Sequence, residues 1–259
     1  MVTTIDVKES LIGQLRGLHL PTFRESFEQV ARRAEQETLS YEQYLLELTS
    51  RESDDRRVRR IERLLKQSGL PLEKDLESFD LKRLPAKVSR KLPTLVDGGF
   101  VDRRENVLAF GSAGAGKTHA LCGVAQELVR RQERRVYFSS CSLLVQELLV
   151  AKRDLKLSRV LKRLSKFDVL FIDDIGYVQQ SREEMEVLFT LLAERYERGS
   201  VMLTSNLPFS KWEAIFKDPM TTAAAIDRLV HHSVILELNL PSYRLEQAKK
   251  TKAATANAG

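Results

Sequence analysis

A glycine-rich segment of the chain has the residue types and the spacing that bind phosphate. It follows a short apolar run and matches the pattern G-x-x-x-x-G-K-[ST] with Gly111, Ser112, Ala113, Gly114, Ala115, Gly116, Lys117 and Thr118. The glycines allow backbone N–H groups to turn toward phosphate oxygens, and the helix expected to follow adds the positive end of its dipole. Lys117 would reach the β- and γ-phosphates of a nucleotide, and the Thr118 hydroxyl would bind Mg²⁺.

Two adjacent carboxylates supply the acid that such a loop requires. Asp173 and Asp174 directly follow the apolar run Asp168–Ile172. We expect Asp173 to hold Mg²⁺ together with Thr118, and Asp174 to orient or deprotonate the attacking water. A pair of acids that only caps the end of a strand is the alternative. The loop and the acids together predict a magnesium-dependent ATPase.

A third polar group follows the next apolar run, Val201–Ser205. Asn206 comes directly after this run. In an open parallel sheet, ligands gather at the carboxyl ends of the strands, where this amide would hydrogen-bond the γ-phosphate or the attacking water. An ordinary turn has the same residue types, so both interpretations stay open at this point.

These groups need a sheet that brings the ends of several strands together. Short apolar runs separated by helical segments of roughly 10–15 residues predict parallel strands with right-handed crossovers. The expected fold class is therefore α/β, with a parallel five-stranded sheet flanked by helices. The predicted strands are Asn106–Phe110, Arg135–Ser139, Asp168–Ile172, Val201–Ser205 and Ser233–Leu238.

The N-terminal part of the chain has a different pattern, in which apolar residues recur at helical spacing without a strand signal. Within its charged helix Arg51–Lys66, the segment Arg56–Lys66 suits DNA contact and a solvated or partner-facing surface equally well. The predicted organisation is an all-α domain at 1–66, a connector with short helices at 67–100, a nucleotide-binding domain at 101–248 and a flexible tail at 249–259.

Composition excludes several classes of protein. Of the 259 residues, 42% are hydrophobic and 30% are charged, as is usual for globular proteins. No apolar stretch reaches the roughly 18 residues of a membrane span, and the first residues lack the layout of a secretory signal. Cys122 and Cys141 are too few for a disulfide framework, which indicates core positions and a reducing cytoplasm. The net charge of +6 is a mild preference for polyanions.

Taken in order, these motifs resemble those of the IstB-type helper ATPases of bacterial insertion sequences, which are AAA+ proteins related to DnaC-type helicase loaders. The resemblance implies an AAA+ P-loop fold with a truncated C-terminal lid, and it adds His119 to the nucleotide-binding residues. The blocks that carry it are Gly116-Lys117-Thr118-His119, Asp173–Tyr177, Arg195–Glu197, Thr204-Ser205-Asn206, Ala225–Leu229 with His231-His232, and Ser242–Leu245.

The resemblance also implies roles for individual residues. Asn206 matches the sensor-1 position, and Arg244 matches the sensor-2 arginine that contacts nucleotide within the same subunit. Arg228 matches the arginine that reaches the γ-phosphate of a neighbouring subunit, where a cation stabilises the charge of the transition state. A surface ion pair between Arg228 and Asp227 is the alternative. With an arginine supplied by a neighbour, hydrolysis would require a homo-oligomer.

A basic amphipathic helix is predicted between the second strand and the acids. At about 100° per residue, its apolar face holds Leu157, Val160, Leu161 and Leu164. Such a helix suits the phosphates of DNA, although a solvated basic face is the alternative. The predicted DNA-binding residues on the opposite face are Lys152, Lys156, Arg159, Arg163 and Lys166.

The resemblance implies an oligomeric ATPase that assembles on duplex DNA and recruits or stimulates an IstA-like transposase. Its N-terminal helices would mediate assembly or contact the transposase, and it would have no membrane partner. A helicase loader that binds single-stranded DNA is the second hypothesis and would use the same ATPase. A small-molecule P-loop kinase is the third, and no second basic or acidic lid pattern supports an acceptor pocket for it.

Overall fold

The computed structural model of the protein describes residues 4–176, 181–213 and 219–243. The chain forms two compact units, Met1–Arg63 and Leu64–Gly259. Among the described residues, no helix combines the length and the apolar character needed to cross a bilayer.

Three helices account for the N-terminal part: α1 (Thr4–Gly17), α2 (Pro21–Glu37) and α3 (Tyr41–Ser68). The charged segment Arg51–Lys66 continues the preceding apolar segment in one helix of 28 residues. Helix formation here is consistent with the absence of glycine and proline from the interior of α3.

A buried carboxylate joins two helices of the first unit. Glu52 on α3 accepts hydrogen bonds from the backbone N–H groups of Thr22 (2.9 Å) and Phe23 (3.3 Å) in the first turn of α2. These N–H groups have no partner within their own helix, so Glu52 replaces a cap. Burial alone would raise the pKa of Glu52, but the hydrogen bonds from Arg56, Phe23 and Thr22 lower the pKa below its ordinary value.

Arginines of the charged segment bind within the same unit. Arg56 donates to Glu52 (2.8 Å) and to the backbone oxygen of His19 (2.7 Å). Arg59 donates to the hydroxyl of Thr22 (3.3 Å). These contacts give two of the arginines an internal structural role.

The second unit is built on a five-stranded parallel sheet in the order β2-β3-β4-β1-β5. This confirms the predicted fold class, and β1 has the predicted bounds while β3 continues to Ile175. The strands are β1 (Asn106–Phe110), β2 (Val136–Ser140), β3 (Val169–Ile175), β4 (Ser200–Ser205) and β5 (Ser233–Glu237).

Helices cover both faces of this sheet. A 3₁₀ turn at Leu81–Arg83 precedes the first of them, and a second 3₁₀ turn at Phe209–Lys211 follows β4. The helices are α4 (Ala86–Val96), α5 (Gly99–Asp102), α6 (Lys117–Gln132), α7 (Cys141–Arg153), α8 (Leu157–Leu164), α9 (Arg182–Arg195) and α10 (Pro219–Val230).

Alternating strand residues form two hydrophobic cores, one on each face of the sheet. Val169 and Phe171 of β3 belong to the core that includes α4 and α6. Leu170 and Ile172 belong to the core that includes α7, α9 and α10. Burial of apolar side chains on both faces is typical of parallel sheets. Both cysteines are buried in these cores, as predicted.

The two acids lie in a bulge of β3. Ile172 pairs with Leu203 and Ile175 pairs with Ser205, so that two residues of β3 lie opposite a single residue of β4. Asp174 has a φ of 63°, a left-handed conformation that aspartate adopts more readily than most residues. The bulge thereby gives the two adjacent carboxylates different directions at the carboxyl edge of the sheet.

Candidate nucleotide site

The glycine-rich loop joins the carboxyl end of β1 to the first turn of α6, in the context that the sequence predicts. Gly114 and Gly116 have φ values of 79° and 91°, which L-residues with side chains rarely adopt. A side chain at Gly114 would also collide with the side chain of Ser242. The loop conformation therefore requires glycine at these positions.

Lys117 turns its amine back into this loop. Its Nζ donates hydrogen bonds to the backbone oxygens of Gly111 and Ser112, both at 2.9 Å. The side chain is buried, with 7% of its surface exposed. A cation held inside a ring of backbone groups at a helix N-terminus is suited to an anionic ligand.

The structure brings the predicted magnesium ligands together. The Thr118 hydroxyl donates to Oδ1 of Asp173 over 2.8 Å, although 55 positions separate the two residues. A hydroxyl and a carboxylate beside a phosphate loop are hard oxygen ligands of the kind that Mg²⁺ prefers. The residues present therefore fit the metal that the loop implies.

Sequence reasoning missed a further member of this cluster, Thr204 near the end of β4. Its hydroxyl donates to Oδ1 of Asp173 (2.6 Å) and accepts from the backbone N–H of Asp174 (2.8 Å). The side chain is buried, with 1% exposed. The available signal was a hydroxyl residue at the polar end of a strand, two positions before Asn206.

Asn206 follows β4 at the edge that carries the loop. The preceding residue, Ser205, pairs with Phe110, which directly precedes the loop. Oδ1 of Asn206 is buried and accepts no hydrogen bond from the described residues. This oxygen is free to accept from a donor that the described residues do not supply, such as the attacking water that we expect Asn206 to bind.

A cavity of about 220 Å³ lies beside the loop. Six of the nine predicted nucleotide-binding residues, Gly114–His119, line one side. The connector lines another side with Ser78, Phe79 and Asp80, and Tyr243 completes the wall. The loop therefore opens into a concave space suited to a small molecule.

His119 helps to attach the connector to this cavity. Its Nε2 lies 2.9 Å from the backbone oxygen of Asp75 and 3.2 Å from the hydroxyl of Ser78. The His119 ring also meets the Phe79 ring edge-on, with 5.0 Å between centroids. His119 thus forms part of the wall and orients the aromatic ring beside it.

The structure does not bring Arg228 to the loop of its own chain. The backbone oxygens of Arg228 and Leu229 accept hydrogen bonds from Asn106, at the amino end of β1. The loop begins at the other end of this five-residue strand, about 17 Å away at the usual rise per residue. Arg244, the other predicted arginine, lies outside the described residues.

The predicted basic helix is two helices, so its predicted continuity is wrong. Lys152 belongs to α7, and α8 begins at Leu157. Between them Leu155 has a φ of 59°, and the N–H of Lys156 bonds back to the oxygen of Ala151 (2.7 Å), which closes α7. Lys166 lies beyond the end of α8.

Within this segment the apolar face is confirmed. Leu164 is buried, and Leu157, Val160 and Leu161 pack against the core of α7, α9 and α10. The cations on the other side form a basic surface that we define as Lys156, Arg159, Lys162, Arg163 and Lys166, which line one shallow depression. Lys152 instead pairs with Glu186 (2.9 Å) on α9.

Solved structures with the same fold support the class. A structure of DnaI is 23% identical, with a TM-score of 0.53 over 65% of this chain and 94% of that chain. A structure of the DnaC helicase loader has a TM-score of 0.52 over 58% of this chain and 88% of that chain, at 17% identity. At these identities the likeness shows the fold alone. The sheet order, the loop after β1 and the acids in β3 define an AAA+ P-loop protein.

Sequence relatives identify the family within that class. The chain belongs to the family of IstB-like ATP binding proteins, whose model matches residues 13–251. A relative from Sinorhizobium fredii, named as an insertion sequence ATP-binding protein, is 39% identical over 96% of this chain and 83% of its own length. A relative from Pseudomonas aeruginosa, named for insertion sequence IS21, is 38% identical over 96% of this chain and 92% of its own length.

Proposed function

We propose that the protein is a magnesium-dependent ATPase that assists the transposition of an insertion sequence. The observation that carries the ATPase proposal is the hydrogen bond between Thr118 and Asp173, which joins the phosphate loop to the acid of β3. The phosphates of ATP would lie against the loop, and the base would lie toward Phe79 and Tyr243. Mg²⁺ bound by Thr118 and Asp173 would neutralise charge on the phosphate oxygens.

The remaining side chains at this edge have separate tasks. The Lys117 amine would leave the loop carbonyls and bind the β- and γ-phosphates. Asp174 would orient or deprotonate the attacking water, and Asn206 would bind that water or the γ-phosphate through its amide. Arg244 would contact the nucleotide of its own subunit as a sensor-2 arginine.

Arg228 would act on the site of a neighbouring copy. The backbone at this end of α10 lies at the amino ends of the strands, whereas the loop lies at their carboxyl ends. This position supports the proposal, since an arginine side chain is much shorter than the intervening strand β1. A guanidinium from a second chain would stabilise the charge that spreads over the γ-phosphoryl group in the transition state. Hydrolysis would then depend on assembly of the homo-oligomer.

Assembly would take place on duplex DNA in the cytoplasm. The basic surface supports backbone contact, because its five cations line one depression in which Glu147, paired with Arg163, is the acid. Residues 1–66 would serve assembly or transposase contact, with 67–100 as connector, 101–248 as the ATPase domain and 249–259 as a tail. The names of the relatives place those proteins in insertion sequences and support a transposase as the partner.

The rate of phosphate release with and without DNA tests this proposal. We expect hydrolysis to require Mg²⁺ and to rise with duplex DNA more than with single-stranded DNA of equal length. Greater stimulation by single strands would favour the helicase-loader alternative. Absence of hydrolysis with both nucleic acids at every protein concentration would contradict the ATPase proposal, and a phosphorylated small-molecule product would favour the kinase.

A further inference from the structure

We propose that Thr204 is a positioning residue that sets the directions of both acids for magnesium-dependent hydrolysis. The inference rests on the proposed function, and it concerns a residue outside the G-x-x-x-x-G-K-[ST] loop and the acidic pair. Thr204 lies in β4, between the strand of the loop and the strand of the acids, and is the single residue opposite the bulge that contains Asp173 and Asp174.

The Thr204 hydroxyl makes one hydrogen bond to the carboxylate of Asp173 and one to the backbone of Asp174. It donates its proton to Oδ1 of Asp173 (2.6 Å) and accepts from the backbone N–H of Asp174 (2.8 Å). A hydroxyl has one proton to donate, and here that proton goes to the carboxylate. The bulge removes Asp174 from the regular ladder of backbone bonds, so the side chain of Thr204 supplies the partner that a strand would otherwise supply.

The first bond orients the carboxylate that faces Mg²⁺. Oδ1 of Asp173 accepts hydrogen bonds from the hydroxyls of both Thr118 and Thr204, so the carboxylate is held from the loop side and from the β4 side. A half-buried carboxylate with two hydroxyl donors has little freedom to rotate. Removal of one donor would leave the carboxylate attached to the loop alone.

The second bond holds the backbone of Asp174 in its left-handed conformation. A φ of 63° is costly for a residue with a side chain unless neighbouring groups maintain it. The bond from its N–H to Thr204 is a local contact that maintains it. Thr204 therefore links the direction of the Asp174 side chain to that of the Asp173 carboxylate.

Thr204→Val tests this inference, because valine keeps the shape of threonine and removes the hydroxyl. Binding of a fluorescent ATP analogue would be titrated with Mg²⁺ and with EDTA, and kcat and KM would be measured separately. In EDTA, we expect the affinity of the variant for the ATP analogue to stay within about twofold of the wild-type value. With Mg²⁺ the affinity should fall about tenfold, and kcat should fall by a larger factor than KM rises. Thr204→Ser, which keeps the hydroxyl, should restore all three quantities to within about threefold.

Ser200→Ala is the matched control on the same strand. Ser200 is also buried, and its hydroxyl bonds to the backbone oxygen of Phe100 at the far end of β4 from the acids. It should lower the melting temperature without changing the Mg²⁺-dependent affinity. Equal losses in Ser200→Ala and Thr204→Val would reduce Thr204 to a packing residue and overturn the inference.

Two further outcomes separate this inference from the proposed function. If the wild-type protein hydrolyses ATP and Thr204→Val does so with unchanged kcat and Mg²⁺ response, only the role of Thr204 is wrong. If the wild-type protein shows no Mg²⁺-dependent binding of the ATP analogue, the proposed function itself is wrong. Should the valine variant not fold, Thr204→Cys replaces the hydroxyl with a weaker donor, and an unchanged Mg²⁺ response in that variant overturns the inference.

Discussion

The guanidinium of Arg228 on α10 lies 4.7 Å from the centroid of the Phe189 ring on α9, close enough for a cation–π contact. The same guanidinium donates a 3.1 Å hydrogen bond to the backbone oxygen of Ala224. These contacts hold the side chain in place on its own subunit, at the opposite edge of the sheet from the phosphate loop. A cation held in this way would need little rearrangement on meeting the neighbouring site that we propose for it.

Mixing two inactive variants tests the assignment of Arg228 to a neighbouring site. Arg228→Ala should bind ATP but lose about 10³-fold in turnover, because a donated arginine supplies at least that factor in related chemistry. Asp174→Asn should be inactive because the site of its own subunit can no longer orient or deprotonate the attacking water. Phosphate release at constant total protein should rise when the two are mixed, because each can complete an interface that the other lacks.

Arg198→Ala is the control for this experiment. Arg198 is exposed in the turn after α9 and pairs with Glu194 near the end of that helix, an interaction of small energetic weight. Its loss should leave turnover unchanged, alone and in mixtures. Arg228→Ala and Asp174→Asn mixtures without activity at any ratio would show that the arginine does not act between subunits.

Lys117→Ala should weaken ATP binding and abolish hydrolysis while the fold is kept. The amine that now bonds to Gly111 and Ser112 would be absent, and a lost charged contact lowers affinity by about 10–100-fold. Titration of a fluorescent ATP analogue measures the affinity, and circular dichroism measures the fold. Lys87→Ala, at an exposed position of α4, should bind normally; equal binding by both variants would contradict the assigned site.

Neutralising three cations of the basic surface should flatten the salt dependence of DNA binding. With Lys156, Arg159 and Arg163 changed to alanine, the slope of log affinity against log salt should become shallower by about 0.9 per lost phosphate contact. Fluorescence anisotropy with a labelled duplex over a range of salt concentrations measures this slope.

A second triple variant controls for the change in net charge. Lys82, Lys87 and Arg90 are exposed in the region of α4, and their replacement by alanine removes the same charge from another surface. This variant should keep the wild-type slope. An unchanged slope in the first variant, or an equal change in both, would reject the basic surface as the DNA contact.

Glu52 should make the first unit sensitive to acid. The folded-state pKa of Glu52 is lowered, so the carboxylate stabilises the folded state above its unfolded pKa of about 4.3, and this contribution is lost as pH falls through the folded value. Hydrogen exchange in the full chain should show protected Thr22 and Phe23 amides at pH 7 that lose protection in acid.

Glu52→Gln should lower the hydrogen-exchange protection of the Thr22 and Phe23 amides at neutral pH. It should also remove most of the dependence of that protection on pH. A neutral amide oxygen accepts more weakly than a carboxylate, by about 1 kcal/mol per bond. Glu62→Gln, at an exposed position on the same helix, should behave as wild type. Persistent protection of both amides in Glu52→Gln at every pH would show that the carboxylate is not their essential partner.

The sequence predicted the strands and the loop because local signals determine them. Apolar runs identified all five strands, and the spacing of Gly111–Thr118 identified the turn that precedes α6. Thr118 and Asp173 were expected to share one magnesium ion, and the structure places them within hydrogen-bond distance of each other. Periodicity and motif spacing can both be read from a single sequence, so these features could be predicted.

Features that depend on exact register were not accessible in the same way. Helical periodicity continues through Leu155, so the pattern alone does not show that α7 closes there with a left-handed residue. The role of Thr204 depends on its lying opposite a bulge, and two-for-one pairing leaves no mark in the order of residue types. Both features arise from backbone conformations that tertiary contacts select.

The bulge also changes the odd–even parity of β3. Val169 and Phe171 face one core and Leu170 and Ile172 face the other, so an uninterrupted strand would turn Ile175 toward the first core. The extra residue reverses this order, and Ile175 packs with Ile172 instead. A single aspartate in a regular strand would bring the isoleucine to that same side, so the bulge is what lets β3 carry a second carboxylate without changing the side on which Ile175 is buried.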